Sequence, residues 1–160
     1  MDIFDYAMKM EQDGRKFYLD LTENAENKGI RRVLQMLADD EQKHYATLQE
    51  MKTKKPDMAE TTILDDAKNV FEELSREENP ESFTVTQGKL YRKAQEIEER
   101  SRDFYGKKAE EAEDSFQKDL FNRLAGEEKE HYVLLEKIVD YVTRPKRWLE
   151  NAEWHHMDEY

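Results

Sequence analysis

The stretches Glu41-Gln42-Lys43-His44 and Glu128-Lys129-Glu130-His131 share one spacing, a glutamate followed three residues later by a histidine. Residues three apart on a helix project from the same face, so the carboxylate and the imidazole of one motif can reach a single metal ion. A lone match is weak evidence, because charged helices contain this spacing by chance as a solvated face or an ion pair. The two matches indicate a metal site only in combination with the rest of the chain.

The chain repeats itself at a fixed offset of 87 residues, without a gap. The polar residues that coincide under this shift are Glu11 with Glu98, Glu41 with Glu128, and His44 with His131. Phe17-Tyr18 falls on Phe104-Tyr105 in the same way. Two similar helical hairpins with matched polar residues predict a pseudo-two-fold axis through whatever these residues bind.

Four segments, A to D, show the three-four spacing of apolar residues that is typical of a helical bundle, each over roughly 25 residues. Asp2 is predicted as the N-cap of A. The polar connections at 24–29 and 110–114 are short, so A with B and C with D are expected to form antiparallel hairpins. Residues 53–83 form a long connector between B and C with one short amphipathic stretch inside it. Because such a connector can run the height of the bundle, B and C are expected to be parallel, which gives an all-α four-helix bundle with one long crossover.

Six polar residues interrupt the apolar seams of these segments, and they are Glu11, Glu41, His44, Glu98, Glu128 and His131. Burying four carboxylates without partners would cost several kcal/mol per ion, which a marginally stable domain cannot absorb. Two divalent cations would offset this cost, and four Glu with two His is the ligand pattern of di-iron and di-manganese carboxylate bundles. We therefore predict these six residues as ligands of two Fe ions, with Mn or Zn as alternatives because the set contains oxygen and nitrogen but no sulfur.

Four further residues are candidates for contacts that support the ligands. Tyr18 and Tyr105 lie two turns from the seam glutamate of their own helix, where a phenol can donate a hydrogen bond to a ligand carboxylate of the neighbouring helix. The alternative is an aromatic core residue whose hydroxyl is satisfied elsewhere. Asp40 and Glu127 precede the ligand glutamates and can accept the outward N–H of a ligand histidine, and the alternative for both is a solvated side chain.

The composition excludes several classes of protein. With 26 basic against 38 acidic residues the net charge is −12, so no basic face is expected to bind nucleic acid. The chain has neither a secretion signal nor a run approaching the roughly 20 apolar residues of a membrane span, so we expect no membrane contact and a cytoplasmic location. The absence of Cys excludes disulfides, thiolate metal sites and a cysteine nucleophile. Residues 1–145 are predicted as one domain and residues 146–160 as a C-terminal tail.

Two segments resemble the helix-pair signature of the rubrerythrin branch of the ferritin-like superfamily. They are Ala7-Met8-Lys9-Met10-Glu11-Gln12-Asp13-Gly14-Arg15-Lys16-Phe17-Tyr18 and its repeat at 94–105, each followed by a Glu-x-x-His motif. The likeness covers residues 1–142 and implies a ferritin-like fold with a di-iron centre. The chain departs from rubrerythrins in two ways. Ser101 stands where they carry a further ligand glutamate, and the cysteine-rich rubredoxin domain that delivers their electrons is missing.

The resemblance implies a non-haem di-iron oxidoreductase, a peroxidase that reduces hydrogen peroxide or dioxygen and so acts in oxidative stress. Electrons are expected from a separate donor protein such as a rubredoxin, because the chain carries no rubredoxin domain. A homodimer is expected, since rubrerythrin-like chains usually form dimers. Two alternatives stay open: a ferroxidase and iron-storage protein in the manner of ferritins, and a scaffold stapled by metal without turnover.

Overall fold

The computed structural model of the chain describes residues 2–55, 58, 61–76 and 85–143, which contain five helices. The helices are α1 (Ile3–Asn24), α2 (Lys28–Met51), α3 (Ile63–Ser75), α4 (Val85–Glu111) and α5 (Ser115–Thr143). These residues include no strand, so the predicted all-α class is confirmed. None of the helices in the described ranges combines the length and the apolar character that a membrane crossing requires. The C-terminal tail predicted at 146–160 lies outside the described residues.

Side-chain caps determine where the first hairpin begins and turns. Asp2 Oδ1 accepts a hydrogen bond of 2.8 Å from a backbone N–H of the first turn of α1, as predicted. Asn27 Oδ1 accepts a similar bond of 2.9 Å at the start of α2. The connection between α1 and α2 is therefore limited to 25–27 and is shorter than the predicted 24–29, because the Asn27 cap starts the helix early.

Contacts between the hairpins show how the four long helices are oriented. Tyr18 of α1 reaches Glu98 of α4, and Tyr105 of α4 reaches Glu11 of α1, so α1 and α4 are antiparallel. Since α1 is also antiparallel to its hairpin partner α2, helices α2 and α4 run parallel. The connector that carries α3 therefore crosses the height of the bundle once. The predicted ferritin-like four-helix bundle with one long crossover is confirmed.

Helix α3 packs against the bundle with its apolar face. Its buried residues are Ile63, Ala67, Val70, Phe71 and Leu74. The Phe71 ring packs edge-on against Tyr141 of α5, with 6.4 Å between the ring centroids. Gly29 of α2 permits a close approach of the two helices, because a Cβ atom at this position would lie 2.9 Å from Leu74 Cδ2. The crossover is thus held to both hairpins.

A polar layer lies between two apolar clusters of the bundle. On α2, Ala38 belongs to one cluster and Leu48 to the other, and the first Glu-x-x-His motif lies between them. On α5, Leu124 and Leu135 flank the second motif in the same way. Apolar side chains on both sides make the polar layer a poorly solvated environment, in which charged groups require partners.

Candidate metal centre

All six residues that interrupt the apolar seams lie together in the middle of the bundle. They are Glu11 on α1, Glu41 and His44 on α2, Glu98 on α4, and Glu128 and His131 on α5. Each is buried, with at most 3% of its surface exposed. Helical periodicity aims them inward, because residues three and four apart share a face. The structure thus brings together every residue that the sequence predicted as a ligand.

The donor atoms of these residues form two overlapping groups. The first group is Glu11, Glu41, His44 and Glu128, and the second is Glu41, Glu98, Glu128 and His131. Within each group, one ligand atom from each residue lies within 4.8 Å of the others. Glu41 and Glu128 belong to both groups, so their carboxylates lie between two neighbouring positions. The 87-residue offset maps each residue of one group onto a residue of the other. The site therefore has the pseudo-two-fold symmetry expected from the sequence.

Each histidine of the cluster is oriented by a carboxylate of the opposite hairpin. His44 Nε2 lies 2.8 Å from Glu127 Oε1, and His131 Nε2 lies 2.9 Å from Asp40 Oδ2. An ionised carboxylate only accepts hydrogen bonds, so both Nε2 atoms are donors. In a neutral imidazole this leaves the lone pair on Nδ1, which faces the cluster, free to bind a metal ion.

Two buried tyrosines contact the cluster from the neighbouring helix. Tyr18 Oη donates a hydrogen bond to Glu98 Oε1, and Tyr105 Oη donates one of 2.5 Å to Glu11 Oε1. The two contacts are related by the same offset of 87 residues. Each bond fixes one oxygen of the carboxylate and leaves the second oxygen directed to the other donor atoms.

Several inward donor atoms have no hydrogen-bond partner among the described residues. They are Glu11 Oε2, Glu98 Oε2, His44 Nδ1 and both carboxylate oxygens of Glu128. His44 Nδ1 lies 2.9 Å from Glu128 Oε1, yet the two atoms are not aligned for a hydrogen bond. A buried polar atom left unsatisfied costs about 1–3 kcal/mol, and more if it is charged. Lone pairs that converge without bonding to one another fit a shared cation, and carboxylate oxygen with imidazole nitrogen suits Fe, Mn or Zn.

The pKa values of the four carboxyl groups fall into two pairs. Burial raises the pKa of Glu41 and of Glu128 well above the ordinary value, and the neighbouring carboxylates raise both further. Burial acts in the same direction on Glu11 and Glu98, but the adjacent histidine and the hydrogen bonds to each carboxylate together outweigh it, and the pKa is lowered. The two residues shared by both groups are therefore the ones that retain a proton most strongly.

The histidines also hold protons in this environment. Burial lowers the pKa of His44, but the nearby carboxylate of Glu11 and the hydrogen bond to Glu127 raise it well above its usual value. The pKa of His131 is raised in the same way against the effect of burial, mainly by Glu98 and then by Asp40. Because metal ligands must be deprotonated, a cation that binds here displaces protons from the cluster.

The structure also contains contacts that the sequence did not predict. Thr61, in the connector before α3, donates a 2.5 Å hydrogen bond from its hydroxyl to Asp40 Oδ2 and a 3.3 Å bond from its backbone N–H to Glu127 Oε2. No periodicity marks a connector residue, so no sequence signal was present to find it. Ser101 is buried one turn after Glu98, and Gly14 is its equivalent in the repeat.

The fold and this site together define a ferritin-like four-helix bundle with an interior cluster of carboxylates and imidazoles that could hold metal. A family profile described as Rubrerythrin matches residues 2–139. The chain belongs to the rubrerythrin family, as the resemblance of its helix pairs implied. Comparison with curated proteins and with solved structures gave no match.

Proposed function

We propose that the chain is a di-iron carboxylate oxidoreductase that reduces hydrogen peroxide or dioxygen with electrons from an external donor protein. The observation that carries this proposal is the pair of overlapping donor groups, in which several inward atoms have no hydrogen-bond partner among the described residues. The proposed ligands are Glu11, Glu41, His44, Glu98, Glu128 and His131. Mn and Zn are the alternative ions, since both accept the same oxygen and nitrogen donors.

A pair of iron ions would supply the electrons for the reduction of peroxide or dioxygen. The residues of the chain have the remaining roles. Glu41 and Glu128 lie in both donor groups and would offer carboxylate oxygens to either ion. Glu127 and Asp40 hold the outward nitrogens of the histidines, so that Nδ1 of each ring faces the site. Burial of the six proposed ligands keeps bulk water away from the site.

Ser101 distinguishes this site from the rubrerythrin ligand pattern, which has a glutamate at this place. Its hydroxyl cannot replace this further ligand glutamate, so the proposal assigns six ligands rather than seven. Without that glutamate, the associated movement of iron and peroxidase cycle do not extend to this site, and both hydrogen peroxide and dioxygen are proposed as substrates.

The electron donor is proposed to be a separate protein such as a rubredoxin, because the 160 residues contain no Cys that could bind a second redox centre. A homodimer and a cytoplasmic location are part of the same proposal. Gel filtration tests the assembly: a dimer supports the oxidoreductase, whereas a large cage would favour iron storage.

The first experiment removes one carboxylate that both donor groups share. Glu128→Gln keeps the shape of the side chain but not its charge, and Glu136→Gln changes an exposed glutamate of the same helix. Elemental analysis of anaerobically purified protein is expected to find two metal ions per chain in the wild type and in Glu136→Gln, and fewer in Glu128→Gln. Equal metal content in all three proteins would refute the site.

The second experiment tests turnover. Stopped-flow mixing of the iron(II)-loaded protein with hydrogen peroxide or with dioxygen is expected to change the near-ultraviolet absorbance within the mixing experiment, and a reduced rubredoxin is expected to reverse the change. A protein that binds two metal ions but shows no absorbance change with either oxidant would be a metal-stapled scaffold, and the oxidoreductase proposal would fail.

A further inference from the structure

One connector residue contacts both of the carboxylates that orient the histidines. The Thr61 hydroxyl donates to Asp40 Oδ2 at 2.5 Å, and the Thr61 backbone N–H donates to Glu127 Oε2 at 3.3 Å. Asp40 Oδ2 is the same oxygen that accepts from His131 Nε2, and the other oxygen of Glu127 accepts from His44 Nε2. Thr61 therefore links the two carboxylate–histidine pairs, although it lies on neither hairpin.

The position of Thr61 is itself fixed from both sides along the chain. The backbone N–H of Ile63, the first residue of α3, donates to the Thr61 hydroxyl oxygen at 3.2 Å. This bond occupies the oxygen as an acceptor and directs the hydroxyl proton to Asp40. Before Thr61, the guanidinium of Arg123 on α5 donates to the backbone carbonyl of Met58, whose side chain is buried. The connector is thus anchored where it passes the metal centre.

The two pairs depend on Thr61 to different degrees. Glu127 is contacted by a backbone N–H, which no side-chain substitution removes, and by Lys43 Nζ at 3.4 Å. Asp40 accepts the Thr61 hydroxyl through a bond that depends on the side chain. A substitution that deletes only this hydroxyl is therefore expected to disturb Asp40, and with it His131, while Glu127 and His44 keep their contacts.

We propose that Thr61 is a positioning residue of the metal centre, which acts through Asp40 on His131 and makes the crossover connector part of the site. The proposal rests on the proposed function, because it requires that His131 binds a metal ion. The hydroxyl holds the Asp40 carboxylate in the plane that receives His131 Nε2–H, and so holds the imidazole with Nδ1 toward the ion. Loss of a carboxylate next to a ligand histidine typically lowers metal affinity about 10- to 100-fold.

The test is an anaerobic calorimetric titration of chelator-treated full-length protein with Co²⁺, which binds such ligands without redox chemistry. Thr61→Val removes the hydroxyl at nearly constant shape, and Thr61→Ser is the matched control that keeps it. Thr61→Val is expected to lower the affinity for one of the two Co²⁺ ions. The loss is expected to be smaller than the roughly 10- to 100-fold loss expected for Asp40→Ala. Thr61→Ser is expected to bind both ions as the wild type does.

A double-mutant cycle separates positioning from a general effect on folding. If Thr61 acts through Asp40, Thr61→Val adds no further loss of Co²⁺ affinity in the Asp40→Ala background. Unchanged affinity in Thr61→Val, an equal loss in Thr61→Ser, or additive losses in the cycle would each overturn the inference. Should Thr61→Val fail to fold, Thr61→Ala replaces it in the same comparison. A wild type that binds fewer than two Co²⁺ ions would instead refute the proposed function.

Discussion

The hydroxyl of Tyr105 donates a 2.5 Å hydrogen bond to Glu11, a buried carboxyl group whose pKa is lowered despite burial because His44 lies beside it. Hydrogen bonds to charged groups contribute about 1.5–3 kcal/mol, and their deletion leaves the buried oxygen without a partner. Tyr105→Phe is therefore expected to lower the free energy of unfolding of the metal-depleted protein by about 1.5–3 kcal/mol. Urea denaturation followed by circular dichroism measures this change.

Tyr91→Phe is the matched control on the same helix. Tyr91 is also buried, but burial alone raises its pKa to about 12, without a contribution from the carboxylate cluster. The loss of its hydroxyl is expected to change the free energy of unfolding by less than about 1 kcal/mol. If the two variants were equally stable, the hydrogen bond from Tyr105 to Glu11 would have no special role in the stability of the site.

The residues of the site were predictable from the sequence to the extent that helical periodicity applies to them. The three-four spacing placed the four glutamates and two histidines on inward seams, and the 87-residue repeat matched them in pairs. Tyr18 and Tyr105 follow from the same spacing, since they lie two turns along those seams. Thr61 was not predictable, because a connector has no period and the contact of Thr61 with Asp40 depends on how the crossover docks.

At the scale of helices, the packing of α3 on α2 depends on one glycine. A Cβ atom at Gly29 would lie 2.9 Å from Leu74 Cδ2, whereas one at Gly106 of α4 would meet no atom within 4 Å. Alanine is favoured over glycine in a helix by about 0.8–1.0 kcal/mol, and overpacking typically costs about 1–3 kcal/mol. Gly106→Ala is therefore expected to raise the free energy of unfolding by up to about 1 kcal/mol. Gly29→Ala is expected to lower it by up to about 2 kcal/mol in the same urea experiment, because the helix preference of alanine offsets part of the overpacking cost.

A second background shows whether the contact with Leu74 is the cause. Leu74→Ala removes the side chain that the new methyl group would meet. In this background Gly29→Ala is expected to stabilise the protein, as Gly106→Ala does in the wild type. A loss of stability of the same size in both backgrounds would show that the effect of Gly29→Ala is local to α2 and that α3 does not pack there.

The helices and their order were largely predictable, and the details of their ends were not. The two short connections predict antiparallel hairpins, and the one long connector predicts that B and C are parallel. Four amphipathic helices connected in this way bury their seams in a bundle with one crossover. The start of α2 was predicted too late, because Gly29 is an ordinary sign of a loop. The Asn27 side chain determines where α2 begins, because it accepts a hydrogen bond from an otherwise free N–H of the first turn. Gly29 therefore lies inside the helix.

At the scale of the whole molecule, the protons of the cluster link stability to pH. The pKa values of His44 and His131 are raised in the folded protein, so their contribution to stability is complete below about pH 6.5 and is lost as the pH rises through the folded values. The pKa values of Glu41 and Glu128 are also raised in the folded protein. Their contribution to stability is complete below about pH 4.3 and is lost as the pH rises through the folded values. The contribution of Glu11 is lost only below about pH 4.3, because its pKa is lowered.

The metal-depleted protein is therefore expected to become less stable between about pH 6 and pH 9, because protonated groups in the cluster must give up their protons among buried carboxylates. Bound cations replace those protons, so metal affinity rises over the same interval. Thermal unfolding with excess chelator or at one fixed free Co²⁺ concentration measures both effects. A concentration of 100 times the dissociation constant at pH 7 should raise the melting temperature at that pH by roughly 5–10 °C for each bound ion. This shift is expected to grow with pH in the wild type and in Glu136→Gln, and to be much smaller in Glu128→Gln at every pH. A chelated protein that gains stability from pH 6 to 9, or a metal-induced shift independent of pH, would mean that the six buried groups do not exchange protons for cations.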